Sequence, residues 1–214
     1  MSSSALPVVP ARYVVRVRAL LEGGQRKLLG LVGPPGSGKS TLALALHNAF
    51  PELSQVVPMD GFHLANVELR RLGRSGRKGA PDTFDSAGYV AMLRRLRSQG
   101  LDEIVYVPEF QREIEEPVAA AIAVLPRTQL VITEGNYLLL DDGHWSDVAA
   151  LLDDVWYVDV DDALRTDRLT RRHERFGRGR EDAIAWVAGT DAPNARLIAT
   201  TRPNAKLVFR WDGA

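Results

Sequence analysis

Cysteine is absent from this sequence of 214 residues, and lysine is rare in it. The absence of cysteine excludes disulfides, thiolate zinc sites, iron–sulfur clusters and a cysteine nucleophile. Only four of the 27 basic residues are lysines, and the other 23 are arginines. A lysine inside a chemically meaningful motif is therefore less readily attributed to chance.

A surplus of charge of one sign is also lacking, because 27 basic residues balance 27 acidic ones. This balance argues against a general binder of nucleic acids or membrane surfaces, since both need a basic surplus. No apolar run reaches the length of a membrane-spanning helix, and residues 1–7 lack the basic and apolar segments of a signal peptide. We therefore expect a cytoplasmic protein that binds neither nucleic acid nor membranes, with homodimerisation left open.

The composition, 45% apolar and 25% charged, is typical of a globular protein with one complete core. Short apolar segments alternate with helical ones, which predicts a three-layer α/β fold with a mostly parallel sheet. Strands are predicted at 27–32, 55–59, 104–107, 130–133, 155–160 and 207–211, and helices at 8–21, 41–50, 86–98 and 162–175. Because no repeat or linker interrupts the pattern, residues 1–214 are predicted to form one domain, with 1–24 as a tail and helix.

A glycine-rich segment, GPPGSGKS at 33–40, fits the phosphate-loop pattern GxxxxGK[ST] at every position. Its glycines let backbone N–H groups converge on phosphate oxygens, and the next helix directs its positive end at them. Lys39 adds a full charge, and the Ser40 hydroxyl is suited to Mg²⁺. The alternative, a glycine turn with an incidental lysine, is disfavoured by the strand before the motif and the helix after it. We predict that a nucleoside triphosphate binds at Gly33, Pro34, Pro35, Gly36, Ser37, Gly38, Lys39, Ser40 and Thr41.

Acidic residues end two further predicted strands. Ligands of open α/β sheets lie beyond the carboxyl ends of the strands, so these positions are informative. Asp60 is placed to accept a proton from a substrate hydroxyl facing the γ-phosphate, although Asp60-Gly61 is also a common turn pair. Glu134 is placed to hold Mg²⁺ or a water bound to it, and its alternative is a solvated strand end.

Seven arginines crowd residues 165–180, where only two acidic residues accompany them. Their three- and four-residue spacing places several of them on one helical face. A solvated charged face is the ordinary explanation of such a run. Because the run leads into two glycines, we instead predict an arginine-rich lid over 165–180 that closes on the transferring phosphates and excludes water. Arg168 and Arg172 are our candidates for the phosphate contacts.

Six motifs occur in order along the chain: the phosphate loop, MDGFH, RKGAPDTFD, VPEFQREIEEPV, ITEGNYLLL and RRHERFG. Together they resemble the phosphoribulokinase/uridine kinase family, and most closely its bacterial pantothenate-kinase-like and "fructose transport system kinase" branch. The resemblance extends from Lys27 onward. It implies a nucleoside-monophosphate-kinase-like fold, ATP and Mg²⁺ as cofactors, and a small-molecule hydroxyl as acceptor. By matching positions, Asp60 takes the role of a catalytic aspartate and Glu134 that of an acidic strand-end residue.

The acceptor pocket has five candidates in or beside these motifs: His63, Phe84, Phe110, Arg112 and Tyr137. His63 is alternatively a helix cap, and Phe84 and Tyr137 are alternatively core residues. The chain has Phe-Gln-Arg at 110–112 where related sequences often have Phe-Asp-Arg, and it lacks the histidine that the pantothenate branch usually carries in this area. Both departures bear on which acceptor fits, and the second weakens pantothenate.

These features predict an ATP:alcohol phosphotransferase in which Asp60, Lys39, Arg168 and Arg172 are catalytic. The acceptor is predicted to be neutral or singly charged, such as a nucleoside, a sugar or a pantothenate-like alcohol, and not a nucleotide. The remaining basic cluster at 70–78 lies in a Gly/Ser-rich loop, which suits closing better than gripping a dianion. The alternative is a P-loop ATPase or nucleotide-binding regulatory module, which needs neither a base beside an organic pocket nor a water-excluding lid.

Overall fold

A computed structural model describes residues 6–211 of the chain. The strands are β1 (Lys27–Val32), β2 (Ser54–Pro58), β3 (Val105–Gln111), β4 (Glu116–Val124), β5 (Leu130–Gly135), β6 (Asp154–Val158) and β7 (Leu207–Phe209). The helices are α1 (Ala11–Leu21), α2 (Lys39–Ala49), α3 (Asn66–Arg71), α4 (Ser86–Arg97), α5 (Val148–Leu151), α6 (Asp162–Arg175), α7 (Arg180–Trp186) and α8 (Ala192–Thr200). A 3-10 turn, Met59–Phe62, follows β2, and a π-helical turn, Val187–Asp191, joins α7 to α8.

Five strands form the central sheet in the order β2-β5-β1-β6-β7, and every pairing in it is parallel. Strands β5 and β6 are buried along their whole length, as is β1 after its first residue. Parallel strands covered on both faces need such continuous apolar runs. The predicted three-layer α/β fold with a mostly parallel sheet is confirmed.

The core is divided between the two faces of this sheet. Leu28 of β1 belongs to the apolar cluster that includes Leu93 of α4, whereas the next residue, Leu29, belongs to the cluster that includes Val17 of α1 and Leu46 of α2. This alternation follows from the two-residue period of a strand. Among the described helices, none is both long and apolar enough to cross a membrane.

The predicted strand at 104–107 is not part of the central sheet, and this corrects the sequence interpretation. Strand β3 pairs only with β4, and the two form a separate antiparallel hairpin. The second hairpin strand was not predicted, because the alanines within 116–124 have a low intrinsic strand preference and are ordered by pairing with β3. Helices α7 and α8, which follow the arginine run, were also not predicted.

Candidate active site

A cavity of about 1560 Å³ lies at the carboxyl ends of the central strands. The phosphate loop, the ends of β2 and β5, helix α6 and the loop around Lys78 all contribute to its wall. Parallel strands bring their carboxyl ends to one edge of a sheet, so segments distant in sequence meet there.

The phosphate loop has the backbone conformation that its glycines predict. Gly36 has a φ of +81° and Gly38 a φ of +92°, a region that residues with a Cβ rarely adopt. A Cβ on Gly36 would also lie 2.8 Å from the Leu169 side chain, so helix α6 packs directly on the loop. Helix α2 begins at Lys39 without a side-chain cap, which leaves its N-terminal end suited to an anion.

Lys39 is held against the loop in this structure. Its side chain is buried, and the Nζ atom donates a hydrogen bond of 3.1 Å to the carbonyl oxygen of Pro34. Burial lowers the pKa of Lys39 to about 8, and the nearby carboxylates of Glu134 and Asp60 only partly offset this effect. The hydroxyl of Ser37 is also buried, and it has no hydrogen-bond partner among the described residues.

Ser40 and Glu134 meet beside the phosphate loop. The Ser40 hydroxyl donates a hydrogen bond of 2.9 Å to Glu134 Oε1. The parallel register aligns Glu134 with Leu31 of β1 on one side and with Pro58 of β2 on the other, which fixes its position next to the loop. Burial and the negative charge of Asp60 together raise the pKa of Glu134.

Asp60 lies in the 3-10 turn that follows β2, and its side chain is partly buried. The Arg112 Nη2 atom donates a hydrogen bond of 3.2 Å to Asp60 Oδ2. Burial raises the pKa of Asp60, but positive charge on His63 when it is protonated, and the charges of Arg112, Lys39 and Arg172, outweigh burial, so the pKa lies below its ordinary value. The carboxylate is therefore ionised at neutral pH.

Three predicted acceptor residues form an aromatic wall beside Asp60. The ring of His63 lies 3.9 Å from that of Phe84 and 4.7 Å from that of Phe110, centroid to centroid. The Nδ1 atom of His63 lies 2.8 Å from the Asp60 carbonyl oxygen, which fits donation from Nδ1–H. Burial lowers the pKa of His63, so the ring is neutral at neutral pH. All three rings line the cavity.

Tyr137 lies behind this wall and outside the cavity. Its side chain is fully buried, its ring meets that of Phe84 edge-on, and its hydroxyl donates to the carbonyl oxygen of Gly79. The structure therefore separates Tyr137 from the other four acceptor candidates. Its position supports the loop around Gly79.

The arginines of the predicted lid region differ in their partners. Arg168 and Arg172 line the cavity and have no ion pair within residues 6–211. Arg165 is buried and pairs with Asp162 at 3.0 Å, so it does not face the cavity as a free cation. Arg171 pairs with Asp167 and Arg180 with Glu174, and neither lines the cavity. Arg178 does line the cavity, where it stacks on Trp186.

The cavity also contains polar residues that sequence reasoning did not assign to the acceptor side. Lys78 and Asn194 line it, as do His173 and Asp191, whose side chains lie 2.8 Å apart. Asp191 belongs to the π-helical turn, a feature that often occurs at functional sites. The sequence signal that could have marked Lys78 is the scarcity of lysine in the chain. The structure places Lys78 in the same cavity wall as Lys39.

One part of the cavity wall, here called the apolar end, is formed mostly by apolar residues near the two ends of the described chain. Val8, Val15 and Trp211 line it, and the side chains of Val8 and Val15 are 90% and 62% exposed. The Tyr13 hydroxyl accepts a hydrogen bond of 3.2 Å from the backbone N–H of Arg210, which joins α1 to the segment after β7. The same cavity wall includes Pro35 and Gly36 of the phosphate loop.

No protein-family model matches the chain, whereas curated proteins do. The protein named "Putative uridine kinase C227.14" from Schizosaccharomyces pombe is 38% identical over 206 residues, which cover 91% of this chain and 87% of that protein. "Uncharacterized protein YggC" from Escherichia coli is 35% identical over 204 residues, which cover 93% of this chain and 84% of that protein.

Solved structures show the same relationship. The crystal structure of a "putative fructose transport system kinase" from Silicibacter sp. TM1040 has a TM-score of 0.86 and 38% identity, and it covers 95% of this chain and 100% of that one. YFH7 from Saccharomyces cerevisiae is described as "a putative P-loop containing kinase with a circular permutation". Its structure has a TM-score of 0.79 and 19% identity, and the match covers 95% of this chain and 100% of that one. At this identity the match shows a similarity of fold. The chain belongs to the P-loop small-molecule kinases of the phosphoribulokinase/uridine kinase family.

Proposed function

We propose that the protein transfers the γ-phosphoryl group of ATP to a hydroxyl group of a small metabolite. The observation that carries the proposal is the position of Asp60, whose ionised carboxylate lies in one cavity with the phosphate loop on one side and an aromatic wall on the other. An acceptor hydroxyl between these two features would face both the base and the phosphate.

The phosphates of ATP would occupy the loop from Gly36 to Ser40. On phosphate binding, the Lys39 ammonium would exchange the Pro34 carbonyl oxygen for phosphate oxygens, which restores the charge that burial disfavours. Arg168 and Arg172 would add two cations, neither of which has an ion-pair partner among the described residues. The nucleoside would extend toward the apolar end of the cavity, where Val15 and Trp211 offer surface for a base.

Ser40 and Glu134 fit Mg²⁺, because both present oxygen atoms and stand 2.9 Å apart beside the loop. Within residues 6–211, no group of three or more histidine, aspartate or glutamate side chains forms a ready-made cation site. The two residues would thus supply part of a coordination shell that phosphates and water complete, as is usual for Mg²⁺ in kinases. When bound, the ion would offset the charge of the β- and γ-phosphates.

Asp60 would act as the proton acceptor. The acceptor hydroxyl gives its proton to the carboxylate while its oxygen forms a bond to the γ-phosphorus. The bond from that phosphorus to the β–γ bridging oxygen breaks, and ADP leaves. Arg112 would orient the carboxylate through its hydrogen bond to Oδ2 and keep it ionised.

An ATPase or a regulatory nucleotide-binding module is the second candidate, and the aromatic wall favours transfer over it. Hydrolysis requires room only for water, whereas His63, Phe84 and Phe110 line the acceptor side of this cavity with rings. Rings at this position are suited to packing against an organic acceptor.

Coupled ADP-release assays over nucleosides, sugars, polyols and hydroxy acids test the proposal. We expect ADP release to depend on one class of acceptor and to match the phosphorylated product mole for mole, as measured by ³¹P NMR. Hydrolysis of ATP at one rate regardless of acceptor, across the whole panel, would contradict the proposal and support the ATPase.

A further inference from the structure

Two cations flank the Phe110 ring on the acceptor side of the cavity. The Lys78 Nζ atom lies 5.1 Å from the ring centroid, and the Arg112 guanidinium carbon lies 5.9 Å from it. Both side chains line the cavity that contains Asp60. Positive charge is therefore gathered where the acceptor would bind.

The two cations differ in what they contact. Arg112 is paired with Asp60, whereas Lys78 has no carboxylate within ion-pair distance among residues 6–211. The Lys78 ammonium donates instead to two neutral oxygens, the Asn66 Oδ1 atom at 2.7 Å and the Glu115 backbone carbonyl.

Neighbouring acidic residues do not supply the missing partner. The Glu116 carboxylate accepts the Asn66 backbone N–H at 3.0 and 3.1 Å, at the start of α3. Glu115 lines the cavity and is exposed, and its carboxylate acts on Lys78 only at longer range. The ammonium is thus positioned by oxygen atoms but is not neutralised by contact.

Binding of an acceptor over Lys78 changes the free-energy cost of keeping the Lys78 ammonium charged. Burial already lowers the pKa of Lys78, so the charged form is disfavoured before anything binds. A neutral acceptor would remove more water and deepen the penalty, whereas an anionic acceptor would supply the missing partner. Two of the three N–H donors of the Lys78 ammonium are engaged, so one donor remains. A single donor suits a monoanion better than a phosphate dianion, which is usually bound by the paired N–H groups of an arginine.

Resting on the proposed kinase activity, we infer that the acceptor is a hydroxy acid with one carboxylate. Its hydroxyl group lies at Asp60, its carboxylate lies at Lys78, and its carbon chain packs on the wall of His63, Phe84 and Phe110. The carboxylate makes and breaks no bond during transfer. Lys78 is accordingly a specificity-determining residue and not a proton carrier.

The test compares hydroxy acids with their neutral counterparts in the coupled ADP-release assay. The probes are D-gluconate with D-glucitol, D-glycerate with glycerol, and pantothenate with panthenol, beside a set of nucleosides. We expect the acid of the best pair to exceed its neutral partner by roughly 10–100-fold in kcat/KM, the usual effect of one charge-assisted hydrogen bond.

Variants of Lys78 connect that preference to the residue. Lys78→Met should lower kcat/KM for the acid by roughly 10–100-fold and leave KM for ATP unchanged, whereas Lys78→Arg should retain the preference. Lys206→Met is the matched control, because Lys206 is exposed and lies outside the cavity wall.

The possible results distinguish a failure of the hydroxy-acid inference from a failure of the proposed kinase activity. Faster turnover of nucleosides or neutral polyols than of acids overturns the hydroxy-acid inference alone. An acid preference that survives Lys78→Met overturns the assignment of the carboxylate to Lys78. The absence of any acid-dependent ADP release across the panel also overturns the hydroxy-acid inference. Hydrolysis that no acceptor of any class stimulates overturns the kinase proposal as well.

Discussion

Asp60 is the residue on which the proposed chemistry depends most directly. Asp60→Asn keeps the shape of the side chain and removes its ability to accept a proton. We expect kcat with the best acceptor to fall by roughly 10²–10⁴-fold, the usual contribution of a general base, while the Kd for ADP measured by calorimetry stays close to that of the wild type. Near-normal turnover in this variant would identify Asp60 as a turn residue only.

Lys39 serves the proposed nucleotide site at a cost to the stability of the unliganded protein. Its folded pKa of about 8 lies below the ordinary value of 10.5, so between these pH values the unfolded chain binds more protons than the folded one. Stability therefore rises with pH through that window, and the penalty is fully present below about pH 8. At neutral pH it amounts to about 3 kcal/mol.

Lys39→Met should consequently abolish ATP use and yet stabilise the protein. We expect Tm at pH 7 to rise by roughly 5–10 °C without ligand, and the gain to shrink as the pH approaches 10.5. Thermal unfolding at pH 7 and pH 10 measures both effects, with Lys206→Met as the control. A lower Tm at pH 7 would show that the hydrogen bond to Pro34 outweighs the buried charge.

Helix α6 contains two arginines whose substitution tests the proposed lid. Arg172 lines the cavity, while Arg175 on the same helix is exposed and does not line it. Arg172→Ala should lower kcat/KM for ATP by roughly 10²-fold and increase acceptor-independent hydrolysis relative to transfer, because the proposed lid would both stabilise charge and exclude water. Arg175→Ala should leave both measurements unchanged, and equal effects of the two variants would refute the lid.

Helix α1 is the second element with a testable contribution, because its Val15 faces the proposed nucleoside end of the cavity. Val15→Asp should weaken ADP binding by roughly tenfold, since it replaces apolar surface beside the base with a charge, and should leave binding of inorganic tripolyphosphate unchanged. Val67→Asp on α3 is the matched control, because Val67 is equally exposed and lies outside the cavity wall. A loss of tripolyphosphate affinity would place Val15 near the phosphates instead.

The whole molecule should respond to nucleotide as one cooperative unit, because the cavity is formed by segments from both ends and the middle of the described chain. At an ADP concentration of 100 times Kd with Mg²⁺ present, linkage adds about 2.7 kcal/mol, or roughly 5–10 °C in Tm. Chelation of Mg²⁺ with EDTA should reduce the shift. A Tm that ADP and Mg²⁺ leave unchanged would contradict nucleotide binding in this cavity.

Local features of the sequence were sufficient to determine the phosphate-loop conformation and the places of Asp60 and Glu134. Glycine at 36 and 38 permits the positive φ values there. Asp60, in the turn after β2, and Glu134, in the last two residues of β5, both lie at the carboxyl ends of parallel strands, where ligands of such sheets bind. These outcomes depend on consecutive residues and on strand direction. Both can be inferred from a single segment at a time.

The tertiary structure alone decided which side chains line the cavity together and which charged side chains have a partner of opposite charge. Hairpin β3–β4 is separate from the central sheet, Tyr137 lies in the core, and Arg165 pairs with Asp162 while Arg172 has no ion pair within residues 6–211. Lys78 reaches the acceptor side because the loop before α4 folds against the hairpin. Strand pairing and charge pairing join segments far apart along the chain, and neither hydrophobic periodicity nor motif spacing specifies those partners.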